Sequence, residues 1–265
     1  MKLSEFMENR KSAREYRLKN LSNKDLKKVN EILKEVNEKA NRYNINYQLF
    51  EGENIYKPLR GEGGYSGVMI EAPGYISLSM KEPNDESYIY GAYYLEDIIG
   101  KLSEIGYGTC WVSLFSVSDE LKKDVFGTKD KIDFILAFGI PVNYILKGDS
   151  QYSNRLGLED FIYINDLDTP VDVETLQNYG LDEIFYYLRN APSAFNKQPW
   201  RFLIKDGKID LFIKDYQGNV NLTDSGIVMY YYEKLAEIDG INASWDLNVD
   251  PCVETDMKFI GRTNF

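Results

Sequence analysis

The chain has 265 residues, of which 43% are hydrophobic and 14% aromatic, and its formal net charge is −11. This length and composition predict a globular protein with a substantial core and no membrane span, and the acidic balance disfavours nucleic acid as a partner. Histidine is absent, which excludes Ser-His and Cys-His nucleophiles and most transition-metal sites.

Charge and cysteine content set further expectations. Residues 1–42 hold 12 Lys and Arg residues against 7 Asp and Glu residues, so a basic segment precedes an acidic body. Such a segment suits a small anionic ligand or is a solvated helix face. Cys110 and Cys252 form no C-x-x-C pair and are expected to be reduced. The N-terminus lacks the apolar centre of a signal peptide, so a cytoplasmic location is expected.

The first half of the chain alternates helical and strand patterns. Helices are predicted over 3–9, from Ser22 to Arg42, over 87–105 and after Ser118, from apolar residues at helical spacing and from capping residues. Strands are predicted over 47–50, 75–80, 107–115 and 132–140. Glycines crowd residues 61–74, which predicts a long loop.

The second half begins after a polar stretch. Residues 165–173 are the best candidate linker, which divides the chain into 1–164 and 174–265. A helix is predicted over 174–189, a hairpin turning at Asp206 and Gly207, a helix near 223–239 and a last strand over 243–247.

The most informative stretch lies between that first helix and the hairpin, at residues 190–200, with the sequence Asn-Ala-Pro-Ser-Ala-Phe-Asn-Lys-Gln-Pro-Trp. Pro192 and Pro199 fix their own φ angles and bias the residues before them away from helix. Ser193, Asn196 and Gln198 supply short-range hydrogen-bonding groups. The 190–200 segment is therefore expected to be a polar surface that leads into a strand.

The 190–200 segment resembles the A-P-S-A-x-N-x-Q-P-W signature of the FMN-dependent nitroreductase family. Members of that family also carry an N-terminal R-x-S-x-R motif, which is similar to Arg10-Lys11-Ser12-Ala13-Arg14 here, and a G-L-G-T-C-W-I stretch, which is similar to 106–112. The resemblance implies an α+β nitroreductase-like fold. In the family a homodimer builds two flavin sites, each using one motif from either subunit.

The two motifs lie about 180 residues apart in this chain, and each occurs once. The resemblance therefore implies two half-domains packed as an internal pseudo-dimer, a monomer with one composite FMN site. It implies that the flavin-binding positions are Arg10, Lys11, Ser12, Arg14, Ser113, Leu114, Arg155, Pro192, Ser193, Ala194 and Asn196. Arginine suits the flavin phosphate because its guanidinium makes paired, charge-assisted hydrogen bonds. Ser113 departs from the family, which often has glycine at that position.

The activity that the resemblance implies is hydride transfer from NAD(P)H through FMN to an electron-poor acceptor, such as a nitroaromatic or a quinone. No catalytic side chain is required, because the cofactor carries the electrons. Two alternatives stay open. One is a binding protein that holds flavin or another anionic ligand without turnover. The other is a carboxylate-based hydrolase using Asp97 and Glu104, which more simply form a solvated stripe on one helix.

Overall fold

The computed structural model describes Leu3, Met7, 12–142 and 154–265, and the contacts among these residues divide them into two compact units. The N-terminal unit comprises 12–142. The C-terminal unit comprises 154–265 together with Leu3 and Met7, so 154–164 pack with the C-terminal half, whereas the sequence-based division places them in the first half. Most of the helix predicted over 3–9 lies outside the described residues.

The N-terminal unit contains a four-stranded antiparallel sheet flanked by helices. Its strands are β1 (Ile45–Glu51), β2 (Gly74–Met80), β3 (Gly108–Ser113) and β4 (Lys131–Gly139), in the order β1-β2-β4-β3. Its helices are α1 (Asn23–Ala40), α2 (Gly52–Leu59), α3 (Asp85–Glu104) and α4 (Asp119–Phe126).

The central strand β2 is buried along its whole length, because helices cover both faces of the sheet. One face packs against α2 and α4 through a core that includes Ile55, Phe126 and Ile135. On the other side, α1 and α3 pack against each other and against the sheet.

Local sequence accounts for the helix ends in this unit. Ser22 and Asp25 form a capping box at the start of α1, and Asn84 and Ser87 form another at the start of α3. Ser118 caps α4, as predicted. The long helices and the four strands were predicted correctly, but α2 was not.

The C-terminal unit contains a second four-stranded sheet in the order β5-β6-β7-β8. Its strands are β5 (Ile162–Ile164), β6 (Trp200–Lys205), β7 (Lys208–Ile213) and β8 (Lys258–Asn264), and only β5 and β6 pair in parallel. Its helices are α5 (Val173–Tyr179), α6 (Asp182–Leu188) and α7 (Asn219–Ile238). Aromatic rings from β6, α6 and α7 fill its core.

Two predictions for this unit need correction. The single helix predicted over 174–189 is two helices, because Gly180 takes a φ of 69° and ends α5. The last strand is not 243–247: only Asp246 makes a bridge there, to Arg262, and the strand itself is β8. The hairpin at Asp206 and Gly207 is confirmed, with both residues at positive φ as its two-residue turn requires.

Candidate functional site

In the N-terminal unit, the described part of the R-x-S-x-R motif lies along the edge strand β3. Ser12 forms a parallel bridge with Thr109, and the Ala13 N–H donates to the Thr109 carbonyl at 2.9 Å. A Cβ on Gly108 would lie 2.8 Å from the Ala13 Cβ, so glycine is needed for this close approach. Ser12 and Arg14 are both exposed. Arg10 and Lys11 lie outside the described residues.

A buried tyrosine fixes the chain that follows the motif. The Tyr16 hydroxyl donates toward the Ala13 carbonyl at 2.6 Å and lies 3.2 Å from the Ala137 carbonyl. Burial raises the pKa of Tyr16, with smaller contributions from Cys110 and Tyr75. The side chain is therefore neutral and acts as a hydrogen-bond donor that holds the motif segment against the sheet.

Ser113 and Leu114 lie where β3 ends. Ser113 is half-buried, whereas Leu114 is fully buried in the core of this unit. The Leu114 N–H donates to the Asp133 carbonyl at 2.8 Å, and its own carbonyl accepts from the Val117 N–H at 3.1 Å. Both backbone polar groups of Leu114 are thus hydrogen-bonded within the unit. Ser113 and Phe115 are the more accessible residues of this turn.

The glycine-rich loop covers this turn from one side. The Gly64 N–H donates to the Ser113 carbonyl at 2.8 Å, and the Ser116 hydroxyl donates to the Glu62 carbonyl at 2.6 Å. The loop contains a tight turn in which Tyr65 and Val68 form an antiparallel β-bridge. The loop predicted over 61–74 therefore has a defined structure, anchored at the turn where a flavin contact was predicted.

In the C-terminal unit, Arg155 contacts the 190–200 segment. One guanidinium nitrogen donates to the Ala191 carbonyl at 2.7 Å, and the Leu156 N–H donates to the Gln198 Oε1 at 3.0 Å. The Asn196 Nδ2 donates to the Asn154 carbonyl at 3.0 Å. The chain around Arg155, 154–156, and the 190–200 segment therefore form one hydrogen-bonded cluster.

Gln198 holds this cluster together. Its amide nitrogen donates to the carbonyls of Asn154 and Asn196 at 3.2 and 3.1 Å, and its backbone N–H donates to the Ser193 Oγ at 3.0 Å. The side chain is buried, so each of these bonds replaces one to water. Gln198 is part of the predicted motif but was not selected as a site residue.

The backbone of the 190–200 segment is strained at three positions. Phe195, Asn196 and Gln198 have φ angles of 53°, 56° and 47°, in the left-handed region that non-glycine residues seldom adopt. The Phe195 side chain is 76% exposed. Strain of this kind persists only when surrounding contacts enforce it, and it is typical of binding sites.

A second residue that sequence reasoning missed, Asp224 on α7, lies behind the segment. Its Oδ1 accepts a hydrogen bond from the Ala194 N–H at 2.9 Å, and the residue is 2% exposed. Burial raises the pKa of Asp224 to about 7, against the opposing effects of the Ala194 N–H and Lys197. The sequence signal was available as a carboxylate one turn before the apolar run that starts at Ile227 in a predicted helix.

The predicted residues thus form two sets, one in each unit. Ser12, Arg14, Ser113 and Leu114 belong to the N-terminal unit, and Arg155, Pro192, Ser193, Ala194 and Asn196 belong to the C-terminal unit. Among the described residues, no group of His, Cys, Asp and Glu side chains could hold a metal ion. In the same part of the chain, no helix has the length and apolarity needed to cross a membrane.

Comparisons with known proteins agree with this architecture. A family model described as "Putative TM nitroreductase" matches residues 2–236. The crystal structure of a putative nitroreductase from Thermotoga maritima superposes with a TM-score of 0.57 at 17% identity, covering 99% of this chain and 92% of that one. None of the curated proteins matches the chain.

Shorter structures match part of the chain. An FMN-dependent nitroreductase from Clostridium difficile has a TM-score of 0.45 at 16% identity, covering 55% of this chain and 91% of that one. A nitroreductase with bound FMN from Bacteroides fragilis has a TM-score of 0.45 at 15% identity, covering 59% and 98%. The family match spans most of the sequence, and the superposition over nearly the whole chain shows the fold. The chain belongs to the nitroreductase family that this model describes.

Proposed function

We propose that this protein binds FMN and is an oxidoreductase that passes hydride from NADH or NADPH to a small electron-poor acceptor, a nitroaromatic or a quinone. The observation that carries the proposal is the 190–200 segment. It has the family signature, its backbone is strained at three non-glycine residues, and buried hydrogen bonds hold it in place.

The exposed groups suit a flavin mononucleotide chemically. Arg14 is exposed, so its guanidinium is accessible to a phosphate. Ser12, Ser193 and Asn196 add hydroxyl and amide groups of the kind that a ribityl chain and a ring edge need. We assign Arg10 and Lys11 to the phosphate as well, from the motif alone.

When bound, FMN supplies the hydride-accepting and hydride-donating chemistry, so the protein contributes binding and orientation. Arg14 and Ser12 hold the anionic end. Pro192, Ser193, Ala194 and Asn196 present a rigid surface to the ring, and Ser113 presents a polar group at the end of β3. Leu114 positions Ser113 from within the core, and Arg155 supports the 190–200 segment through the Ala191 carbonyl.

The localisation and partners proposed with this function are those of a cytoplasmic enzyme. Its partners are NAD(P)H and a small-molecule acceptor, and it works as a single chain because each half of the chain carries one of the two motifs. For the same reason, we propose that each chain binds one flavin.

Anaerobic reduction tests the proposed activity. Protein loaded with FMN is mixed with NADH or NADPH, and the flavin absorbance near 450 nm is followed before and after a quinone is added. We expect bleaching by at least one nucleotide and recovery with the quinone. A flavin that stays oxidised under both nucleotides would contradict the oxidoreductase and favour the non-catalytic binding protein.

A further inference from the structure

The strongest unassigned feature is the carboxyl group of Asp224 beneath the 190–200 segment. Only one of its oxygens is used: Oδ1 accepts from the Ala194 N–H, whereas Oδ2 is buried and has no hydrogen-bond partner among the described residues. A buried carboxylate normally has several donors, and a half-satisfied one is costly. A group of this kind needs a reason for its position, and no ion pair with a residue that the structure describes supplies one.

The hydrogen bond to Ala194 acts at the start of the strained stretch. Ala194 directly precedes Phe195, the first of the three residues in the left-handed region. The Ser193 hydroxyl and the Gln198 side chain fix the other end of the same turn. Without the Asp224 acceptor, the Ala194 N–H would be unsatisfied next to the strained backbone, and the turn could relax by opening toward water.

We propose that Asp224 is the positioning residue of the 190–200 segment and that the protonation of its buried carboxyl group sets how firmly the segment is closed. The proposal rests on the proposed function only where it concerns flavin binding. The closure itself is a property of the protein without any ligand.

The direction of the pH effect follows from linkage. In the closed segment burial raises the pKa of Asp224 to about 7, and the Ala194 N–H and the charge of Lys197 partly oppose this. In an opened segment the carboxyl group is solvated and its pKa returns toward 3.8. The closed form therefore binds more protons, so closure is firmest at low pH and weakens as pH rises toward 7.

Hydrogen exchange of the Ala194 amide tests this in the flavin-free full-length protein labelled with nitrogen-15 alanine. Protection is corrected for the intrinsic exchange rate at pH 5.5, 6.5 and 7.5. We expect wild-type protection to fall by roughly tenfold or more across this range. Asp224→Asn keeps an acceptor but cannot ionise, so its protection should stay flat with pH. Asp224→Ala should lose protection at every pH.

Asp172→Ala is the matched control, because Asp172 also accepts a backbone N–H in the same unit but caps α5 instead of the segment. It should leave Ala194 exchange unchanged. Equal protection in the wild type and Asp224→Ala, or the same pH profile in the wild type and Asp224→Asn, would overturn the proposal. If Asp224→Ala does not fold, the pH profiles of Ala194 protection in the wild type and Asp224→Asn still test the proposal.

Flavin titration separates this proposal from the proposed function. If FMN binds, Asp224→Ala should weaken binding by about five- to tenfold, the loss expected for one hydrogen bond, with rescue by Asp224→Asn. If neither the wild type nor a variant binds FMN, the proposed function is wrong. The hydrogen-exchange result still tests the role of Asp224, because it is measured without flavin.

Discussion

At the scale of single residues, Gln198 determines whether the 190–200 segment stays attached to the chain around Arg155. Gln198→Ala removes the partners of the Leu156 N–H and of the Asn196 carbonyl, and one of the two donors to the Asn154 carbonyl. We expect the free energy of unfolding to fall by about 2–3 kcal/mol, because buried polar groups lose their hydrogen bonds. Urea denaturation measures this. Lys197→Ala, an exposed neighbour, should change stability by less than about 0.5 kcal/mol.

A second residue-scale prediction concerns the buried ion pair of β7 and β8. Arg262 donates to both Asp210 oxygens at 2.5 and 2.8 Å, and the Cys252 N–H donates to the same carboxylate at 3.0 Å. Burial alone would raise the pKa of Asp210, but these donors outweigh it and the pKa lies below 3.8. The stabilisation is therefore present above pH 4 and lost as pH falls further.

Asp210→Asn should destabilise the protein by about 3–5 kcal/mol at pH 7, because Arg262 is left without its charge partner in a mostly buried position. The loss should shrink on acidification toward pH 3. Thermal unfolding across pH 3–7 measures both effects, with the exposed Asp168→Asn as the control. If the stability lost in Asp210→Asn did not depend on pH, the conclusion that the pKa of Asp210 is lowered would be wrong.

At the scale of elements, the turn at 64–68 is fixed by the absence of a side chain on Gly64. This residue has a φ of 82°, and a Cβ there would lie 2.1 Å from the Val68 carbonyl oxygen. Gly64→Ala should therefore cost more than the roughly 1 kcal/mol of a positive-φ glycine alone. Gly106→Ala is the matched control, since its φ is 88° and nothing lies within 4 Å.

The difference between these two variants in chemical denaturation isolates the steric clash. A loop displaced by Gly64→Ala should also release the Ser113 carbonyl, which it holds at 2.8 Å. Equal destabilisation by both substitutions would mean that the turn accommodates the new methyl group, so that the loop is not rigidly attached to the end of β3.

Sequence patterns predicted the elements whose signals are local. The start of α1 and the hairpin at Asp206 and Gly207 depend on capping and turn residues within a few positions of one another. β8 was missed because its pairing with β7 and the Asp210–Arg262 ion pair involve residues about 50 positions apart. The run at 243–247 has the pattern of a strand, yet Trp245 is buried against α7, where its indole N–H donates to the Met229 carbonyl.

Prediction of the candidate site was limited in the same way, because some of its contacts join residues that are far apart in the sequence. The 190–200 segment could be recognised because its residues are contiguous, and so could Ser12 and Arg14. Asp224 could not be assigned a role, because its contact with Ala194 joins residues 30 positions apart. The helix α2 was missed because Gly52 and Pro58 are residues that usually interrupt helices. Glycine is needed at position 52 for a packing reason, because a Cβ there would lie 2.0 Å from the Ala72 carbonyl oxygen.

At the scale of the whole molecule, the residues proposed to bind flavin form two sets, one in each unit. If both sets bind one cofactor, Arg14→Ala and Ser193→Ala should each weaken FMN binding, although the residues belong to different units. A loss of about tenfold for Arg14 corresponds to one charge-assisted hydrogen bond. Arg17→Ala, the next arginine along the chain and also exposed, is the control and should bind normally.

The most direct test is the amount of FMN that the purified chain retains. Protein is incubated with excess FMN and desalted, and the released flavin is quantified against protein from its visible absorption. We expect about one flavin per chain, with retention reduced in parallel by Arg14→Ala and Ser193→Ala but unaffected by Arg17→Ala. Two flavins per chain would contradict the single site, and no retained or titratable flavin would contradict FMN binding itself.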